Sequence, residues 1–142
     1  MPSRYETVDD YYAELGPQKA ELIQRIYAGV LADFPQLKIK IAWNQPVLCL
    51  DGATLAEELG LKKPLTDKYV AGMSAATNWL LYNPFSKTIM QNFEPRFGDL
   101  HASLHTFRVP LDWHIDAQLL HDLTEARLAE IDRELAAKSA KI

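Results

Sequence analysis

Between Pro17 and Phe34 the apolar side chains Ile23, Ile26, Tyr27, Val30 and Phe34 recur at steps of three and four. That spacing lines them along one stripe of an α-helix facing a core. Pro17 stands where a helix tolerates proline, at its first position, and Pro35 stops the run. Ahead of it, Thr7 is a good N-cap for a shorter helix through VDDYYAEL, with acid in its first turn and Gly16 at its end. From Lys38 the period changes to two. Ile39, Ile41 and Trp43 point one way and Lys38 and Lys40 the other, which predicts a strand with one buried and one wet face.

PVLCLDG predicts a second strand, closed by a turn at Asp51-Gly52. ATLAEELGLKKPLTD is a polar insertion with room for a helical turn. KYVAGMSA and NWLLYNP predict two further strands, joined by small residues around Ser74. PFSKTIMQNF is a short helix candidate, EPRFGD a loop, and SLHTFRVP the last strand. Asp116 is a good N-cap for a long helix running to Lys138, with Leu120, Leu128, Ile131 and Leu135 as its stripe and Leu119 and Leu123 widening it. AAKSAKI reads as a frayed tail. Helices and strands are segregated, with no strict alternation. The expectation is a single α+β domain over residues 1–142, with N-terminal helices at 7–34, a sheet region at 38–109 and a C-terminal helix at 116–138. Its sheet is antiparallel, of about five strands, with helices mainly on one face.

Length and charge narrow the partners. A chain of 142 residues buries a core without staples. The net charge is −4, and it is unevenly placed. Residues 1–35 carry 3 basic and 6 acidic groups, residues 36–113 carry 8 and 7, and residues 114–142 carry 4 and 6. An acidic balance argues against nucleic acid as the main partner, since phosphate binding wants a basic face. No apolar run approaches the ~20 residues a membrane span needs, and MPSRYETVDD lacks an apolar signal core, so no membrane and a cytoplasmic location are expected. Cys49 is the one cysteine. It excludes an intrachain disulfide, a thiolate zinc site and a held iron–sulfur cluster, and between Leu48 and Leu50 it reads as a buried, inert thiol.

The search for chemistry finds no complete catalytic set. His101 and His105 have helical ligand spacing, but a strand through His105 would hold them about 13 Å apart. His114 and His121 flank a helix start and read as solvated. Ser74 and Ser103 lack a nucleophile elbow, and no glycine pattern forms a phosphate loop. Glu57-Glu58 faces water. A non-enzymatic protein is expected. Glu6, Asp10 and Glu14 do share one helix face, at i, i+4 and i+8, with Asp9 beside them. Two readings stand: a solvated face beside a helix N-terminus, or a shallow oxygen-only site for a hard cation.

KIAWNQPVLCLDGATL, followed by VAGMSAATNWLLYNP and HTFRVP, resembles the YdhG-like family, catalogued as a domain of unknown function and including frataxin-like bacterial iron chaperones. The residues that carry the resemblance are Trp43, Asn44, Gln45, Pro46, Gly52, Gly72, Ser74, Pro84, Arg108 and Pro110. DDYYAELGP and LLHDLTEARL also look like the family's flanking helices. The chain departs from the family where a basic pair is replaced by Thr77-Asn78-Trp79, and where AEELGLKKPLTDKY is inserted. The resemblance implies an intracellular iron chaperone or iron-delivery protein. It would bind iron weakly and exchangeably through Glu6, Asp9, Asp10 and Glu14 and serve iron–sulfur assembly or other iron-accepting proteins. The alternative is a small-ligand or protein-interaction module without metal. Two readings of the Trp-Asn-Gln-Pro joint also stand. Pro46 breaks the first strand and the Asn44 and Gln45 amides satisfy the freed backbone, or Trp43, Asn44, Gln45 and Trp79 rim a small pocket.

Overall fold

The computed structural model describes residues 5–140. Its elements run α1 (Val8–Leu15), α2 (Pro17–Asp33), β1 (Lys38–Ala42), β2 (Gln45–Leu50), α3 (Gly52–Glu58), β3 (Lys68–Ala75), β4 (Trp79–Asn83), α4 (Lys87–Asn92), α5 (Glu94–Phe97), β5 (Phe107–Pro110) and α6 (Ala117–Ala140). The strands form one antiparallel sheet in the order β1-β2-β3-β4-β5. The expected α+β fold with a five-stranded antiparallel sheet is what the chain adopts.

Alternation along the strands sorts the two faces. Register places Leu48 beside Ile39 and Ala71, Met73 beside Tyr82, and Leu80 beside Val109, all on one side. Against that side pack Ile23, Ile26 and Val30 of α2 and Leu119, Leu123 and Ile131 of α6. Each fully buried aliphatic side chain contributes about 1.5–3 kcal/mol, so this core, more than helix propensity, holds α2 and α6 in place. α3 lies on the other face. There the Lys40 ammonium bonds both Asp51, the N-cap of α3, and Asp67, at 3.1 Å from the latter. The Lys40 ammonium and the Thr54 bonds hold the Asp51 carboxyl well below the usual range. The Gly52 amide donates to Asp67 at 2.8 Å, so the segment after α3 is tied back to its start. A Cβ on Gly52 would collide with the Leu65 carbonyl, which makes glycine obligatory at that crossing. Cys49 lies fully buried on this side, and burial pushes its thiol up to about 11. The expected burial of this thiol is what the fold shows.

The central strand is irregular in a useful way. Leu48 pairs with Ala71 and Cys49 with Tyr69, so Val70 is an extra residue in β3. β4 pairs β3 only from Gly72 to Ala75, which leaves the first half of β3 without a strand on that side. Arg127 of α6 fills part of the gap, its Nε donating to the Tyr69 carbonyl at 2.9 Å.

Several expectations are corrected. β1 does not run on through Trp43, and Pro46 does not break it. Trp43 (φ 52°) and Asn44 (φ 59°) form a two-residue hairpin turn between the paired Ala42 and Gln45, with the left-handed backbone at both positions that defines type I′. Pro46 sits inside the ladder opposite Ile41. That pair follows the hydrogen-bonded pair closing the turn, so a proline's missing N–H leaves no gap toward β1. Its carbonyl accepts from the buried Tyr27 hydroxyl at 2.7 Å, and the Met73 backbone amide hydrogen-bonds the same phenol. Asp51-Gly52 starts a helix rather than a turn. The third strand, KYVAGMSA, is as expected, with the joint to β4 at residues 76–78 rather than around Ser74; EPRFGD contains α5, and the last strand starts only at Phe107. Ser103 to Thr106 is instead a hydroxyl-stabilised turn in which the Ser103 amide donates to the Thr106 carbonyl at 2.8 Å. α6 extends helically to Ala140, two residues past the expected end at Lys138, and residues 141–142 lie outside the described chain. Asp116 does cap α6, accepting from the Leu119 amide at 3.0 Å.

Candidate functional site

The structure separates the two sets of side chains singled out from sequence. In the acidic row, Glu6, Asp9, Asp10 and Glu14 are all exposed on or beside α1. Asp10 is engaged in a capping box: its carboxylate accepts from the Thr7 amide at 3.2 Å, and its own amide donates to the Thr7 hydroxyl at 3.1 Å. Among the described residues no group of three His, Cys, Asp or Glu side chains is placed to hold a metal ion. That includes His101 and His105, which flank a turn rather than sharing a strand.

The Trp-Asn-Gln-Pro joint is where aromatic side chains gather. Among the described residues Trp43 is the most exposed of the large hydrophobic ones, at 66 %. Its ring meets Tyr69 at 4.8 Å and Phe85 at 5.8 Å between centroids, and Tyr69 and Phe85 meet at 5.6 Å. The three rings are tilted on one another, at 60°, 34° and 35°. They lie on the sheet face opposite the main core, because Tyr69 pairs with Cys49 and Gly72 with Val47. Gly72 is their seat. A Cβ there would press on the Phe85 ring at 3.2 Å and lie 3.5 Å from the Gln45 amide nitrogen, so a side chain would lift the ring from the sheet.

The backbone that presents these rings is held in an uncommon state. Among the described residues, those other than glycine with positive φ are Trp43, Asn44 and Phe85. Two of these three carry rings of the cluster. A left-handed L-residue costs roughly 1–2 kcal/mol, and such outliers persist only where neighbours hold them. Phe85 is held by the Asn83 side chain, which accepts from its amide at 2.8 Å. The next residue, Ser86, caps α4 and donates to Glu130 of α6 at 2.7 Å. Glu130 also pairs with Arg127 at 3.1 Å, the residue bound to the Tyr69 carbonyl. Two rings are therefore braced by one Arg127–Glu130 pair on the long helix. A groove of about 480 Å³ opens beside Phe85, lined by Ser86, Arg127, Glu130, Arg133 and Glu134. Larger clefts, of about 680 and 500 Å³, lie around Glu94–Ala102 and between α2 and residues 111–115, and neither contains a residue of the ring cluster.

Of the four rim residues expected from sequence, Trp43, Asn44 and Gln45 stand together and Trp79 stands apart. Trp79 shares the face but lies on β4, with the Arg108 guanidinium 4.1 Å above its ring. Tyr69 and Phe85 are the members that sequence reasoning missed. The signal that points to them is structural: Gly72 inside a strand, where glycine marks a close approach.

No protein-family model matches the chain, and no curated protein matches it. Solved structures do. The chain is similar to a protein of the DUF1801 family, YdhG, from Bacillus subtilis, with a TM-score of 0.70 and 19 % identity over 88 % of this chain and 90 % of that one. It is also similar to an uncharacterized conserved protein from Lactobacillus casei, with a TM-score of 0.52 and 23 % identity over 87 % and 91 % of the two chains. At these identities the likeness is one of architecture, and on it the chain has a YdhG-like fold.

Proposed function

We propose that this protein is a non-enzymatic binding module whose contact surface is the aromatic patch of Trp43, Tyr69 and Phe85. The observation that carries the reading is the placement of two of the three rings on left-handed backbone, with Trp43 largely in solvent. Hydrophobic burial alone does not account for that arrangement, because an exposed ring gains little of the roughly 1.5–3 kcal/mol that burial supplies. At Phe85 the strain is held by Asn83 and, through Ser86, by the Arg127–Glu130 brace, and strain held by its neighbours is a recurrent property of ligand-contact sites. Gln45, at the edge of the patch, adds an amide that can orient a ligand, and apolar walls with a few placed polar groups are typical of such sites.

Iron delivery, the function implied by the sequence resemblance, is the competing reading. It would rest on the α1 carboxylates, one of which already serves as a helix cap.

Ligand-observed NMR with a mixed set of aromatic, sugar, amine and nucleobase fragments tests the proposal, with an anaerobic Fe²⁺ titration run beside it. Trp43→Asn removes the ring while keeping a residue that tolerates the left-handed turn. Fragment binding that Trp43→Asn abolishes is the expected result. Fragments that bind the variant equally well, or heat from Fe²⁺ alone that vanishes in a Glu6, Asp10 and Glu14 triple amide variant, would overturn it.

A further inference from the structure

We infer that the part of this sheet face beyond α3, from the ring cluster to Trp79, stacks the bases of a single-stranded nucleic acid, an inference that rests on the aromatic patch being the binding surface. Three observations point there together.

First, the face carries two stacking stations. One is the ring cluster seated on Gly72; the other is Trp79, with the Arg108 guanidinium lying 4.1 Å over it. Gly72 pairs with Asn83, and Trp79 is four residues from Asn83 on the same strand, so the stations are about 13 Å apart along β4. Between them lies the paired row of Ser74 and Leu81. A strand of about four nucleotides, the low end of sites on sheet-based single-strand binders, would reach from one to the other.

Second, the charge is sorted by element. The five strands contain Lys38, Lys40, Lys68 and Arg108 and no carboxylate. Lys40 is outnumbered by Asp51 and Asp67, which hold it, whereas Lys38 and Arg108 are exposed on this face. The excess acid behind the net charge of −4 sits in residues 1–35 and 114–142, and of that acid Glu130 and Glu134 line the groove beside Phe85, where Arg127 and Arg133 match them in number. The whole-chain balance therefore understates how well this one face suits phosphate.

Third, the stacking surfaces are ring faces and a guanidinium plane, which accept any base and give little sequence preference. A duplex keeps its base faces occupied, so the fitting form is single-stranded.

Anisotropy of a fluorescein-labelled thymidine octamer at low salt tests this. Saturable binding is expected, weakened at least fivefold by Trp43→Asn and equally by Phe85→Asn, the second variant guarding against misfolding in the first. Arg108→Gln should reduce the slope of log affinity against log salt by about 0.7, the contribution of one phosphate contact on a single strand. The inference fails if the octamer does not bind at up to about 0.5 mM protein, beyond the usual range of non-specific affinities. It also fails if a duplex octamer binds as tightly, which would mean charge without stacking. Loss of octamer binding while other fragments still require Trp43 removes the nucleic acid and leaves the aromatic-patch module standing. No ligand of any kind at Trp43 removes both.

Discussion

Deleting the same single oxygen from two tyrosines of this core should change stability in opposite directions. Tyr27 is fully buried, and its hydroxyl donates to the Pro46 carbonyl at 2.7 Å while bonding the Met73 amide. Tyr27→Phe leaves two buried backbone groups without a partner, beneath the hairpin that carries Trp43. An orphaned buried polar group costs roughly 1–3 kcal/mol, so a loss of about 2–4 kcal/mol is expected, partly offset if water enters. Against a total stability of about 5–15 kcal/mol that is a large fraction. Tyr12 is the contrasting case. Its hydroxyl is buried and has no hydrogen-bond partner among the described residues, and its acidity is suppressed to about 12, chiefly by burial. Tyr12→Phe therefore removes a group already unsatisfied, and stability should hold or rise by about 1 kcal/mol. Urea unfolding followed by circular dichroism measures both. With a slope near 2 kcal/mol per molar, Tyr27→Phe should lower the midpoint by about 1–2 M, and Tyr12→Phe should not lower it at all. Equal losses in the two variants would refute the reasoning, since they would show that the hydroxyls act through packing and not through their partners.

Asn44→Ala should cost about 1 kcal/mol in the same unfolding assay because φ is 59° there, whereas Asn44→Gly should cost nothing measurable; an equal cost would remove the turn explanation. Gly52→Ala should displace the segment after α3, seen as faster proteolysis between residues 59 and 66, and unchanged digestion would mean the Leu65 crossing is not tight. The hydrogen bond to Asp33 at 3.0 Å raises the His121 pKa. A raised folded-state value contributes stability that is complete below the ordinary value near 6.5 and lost as pH rises through the folded one. The melting temperature should therefore fall as pH rises through that window, and His121→Gln should flatten the fall. A slope unchanged in the variant would assign it to other groups.

Much of the fold is legible in the residues. The change of period at Lys38, Pro17 and Pro35 around α2, and Asp116 before α6 each mark an element by a local physical rule, and each is where the rule puts it. The Trp43-Asn44 turn is not legible, because its residues lack the glycine that type I′ turns prefer and because Trp43 continues the alternation of Ile39 and Ile41. The joint itself, with Gln45, stands out in sequence, but its ring partners do not. Tyr69 faces them only because Val70 bulges, and Phe85 reaches them only through a left-handed turn held by Asn83. Both are tertiary facts. The acidic row fails differently: i, i+4 spacing gives proximity, but the same Asp10 also lies three residues after Thr7, and capping takes it.

A sheet in which each strand pairs with its sequence neighbour has a consequence for how the chain reaches this state. Two of its pairings, β1–β2 and β3–β4, close over short turns at residues 43–44 and 76–78, which favours rapid assembly of those hairpins, whereas β2–β3 and β4–β5 must close over the segments that carry α3 and α4–α5. The helices that complete the core do not share that advantage. His121 and Asp33, which join α6 to α2, are 88 residues apart, so this closure carries the largest loop entropy among the side-chain hydrogen bonds of the described residues. Substitutions in the β3–β4 hairpin should therefore slow folding, while those at the α2–α6 contact should mainly hasten unfolding. The Arg127–Glu130 brace belongs to that late-docking helix, so the aromatic patch becomes competent only when the chain has finished folding.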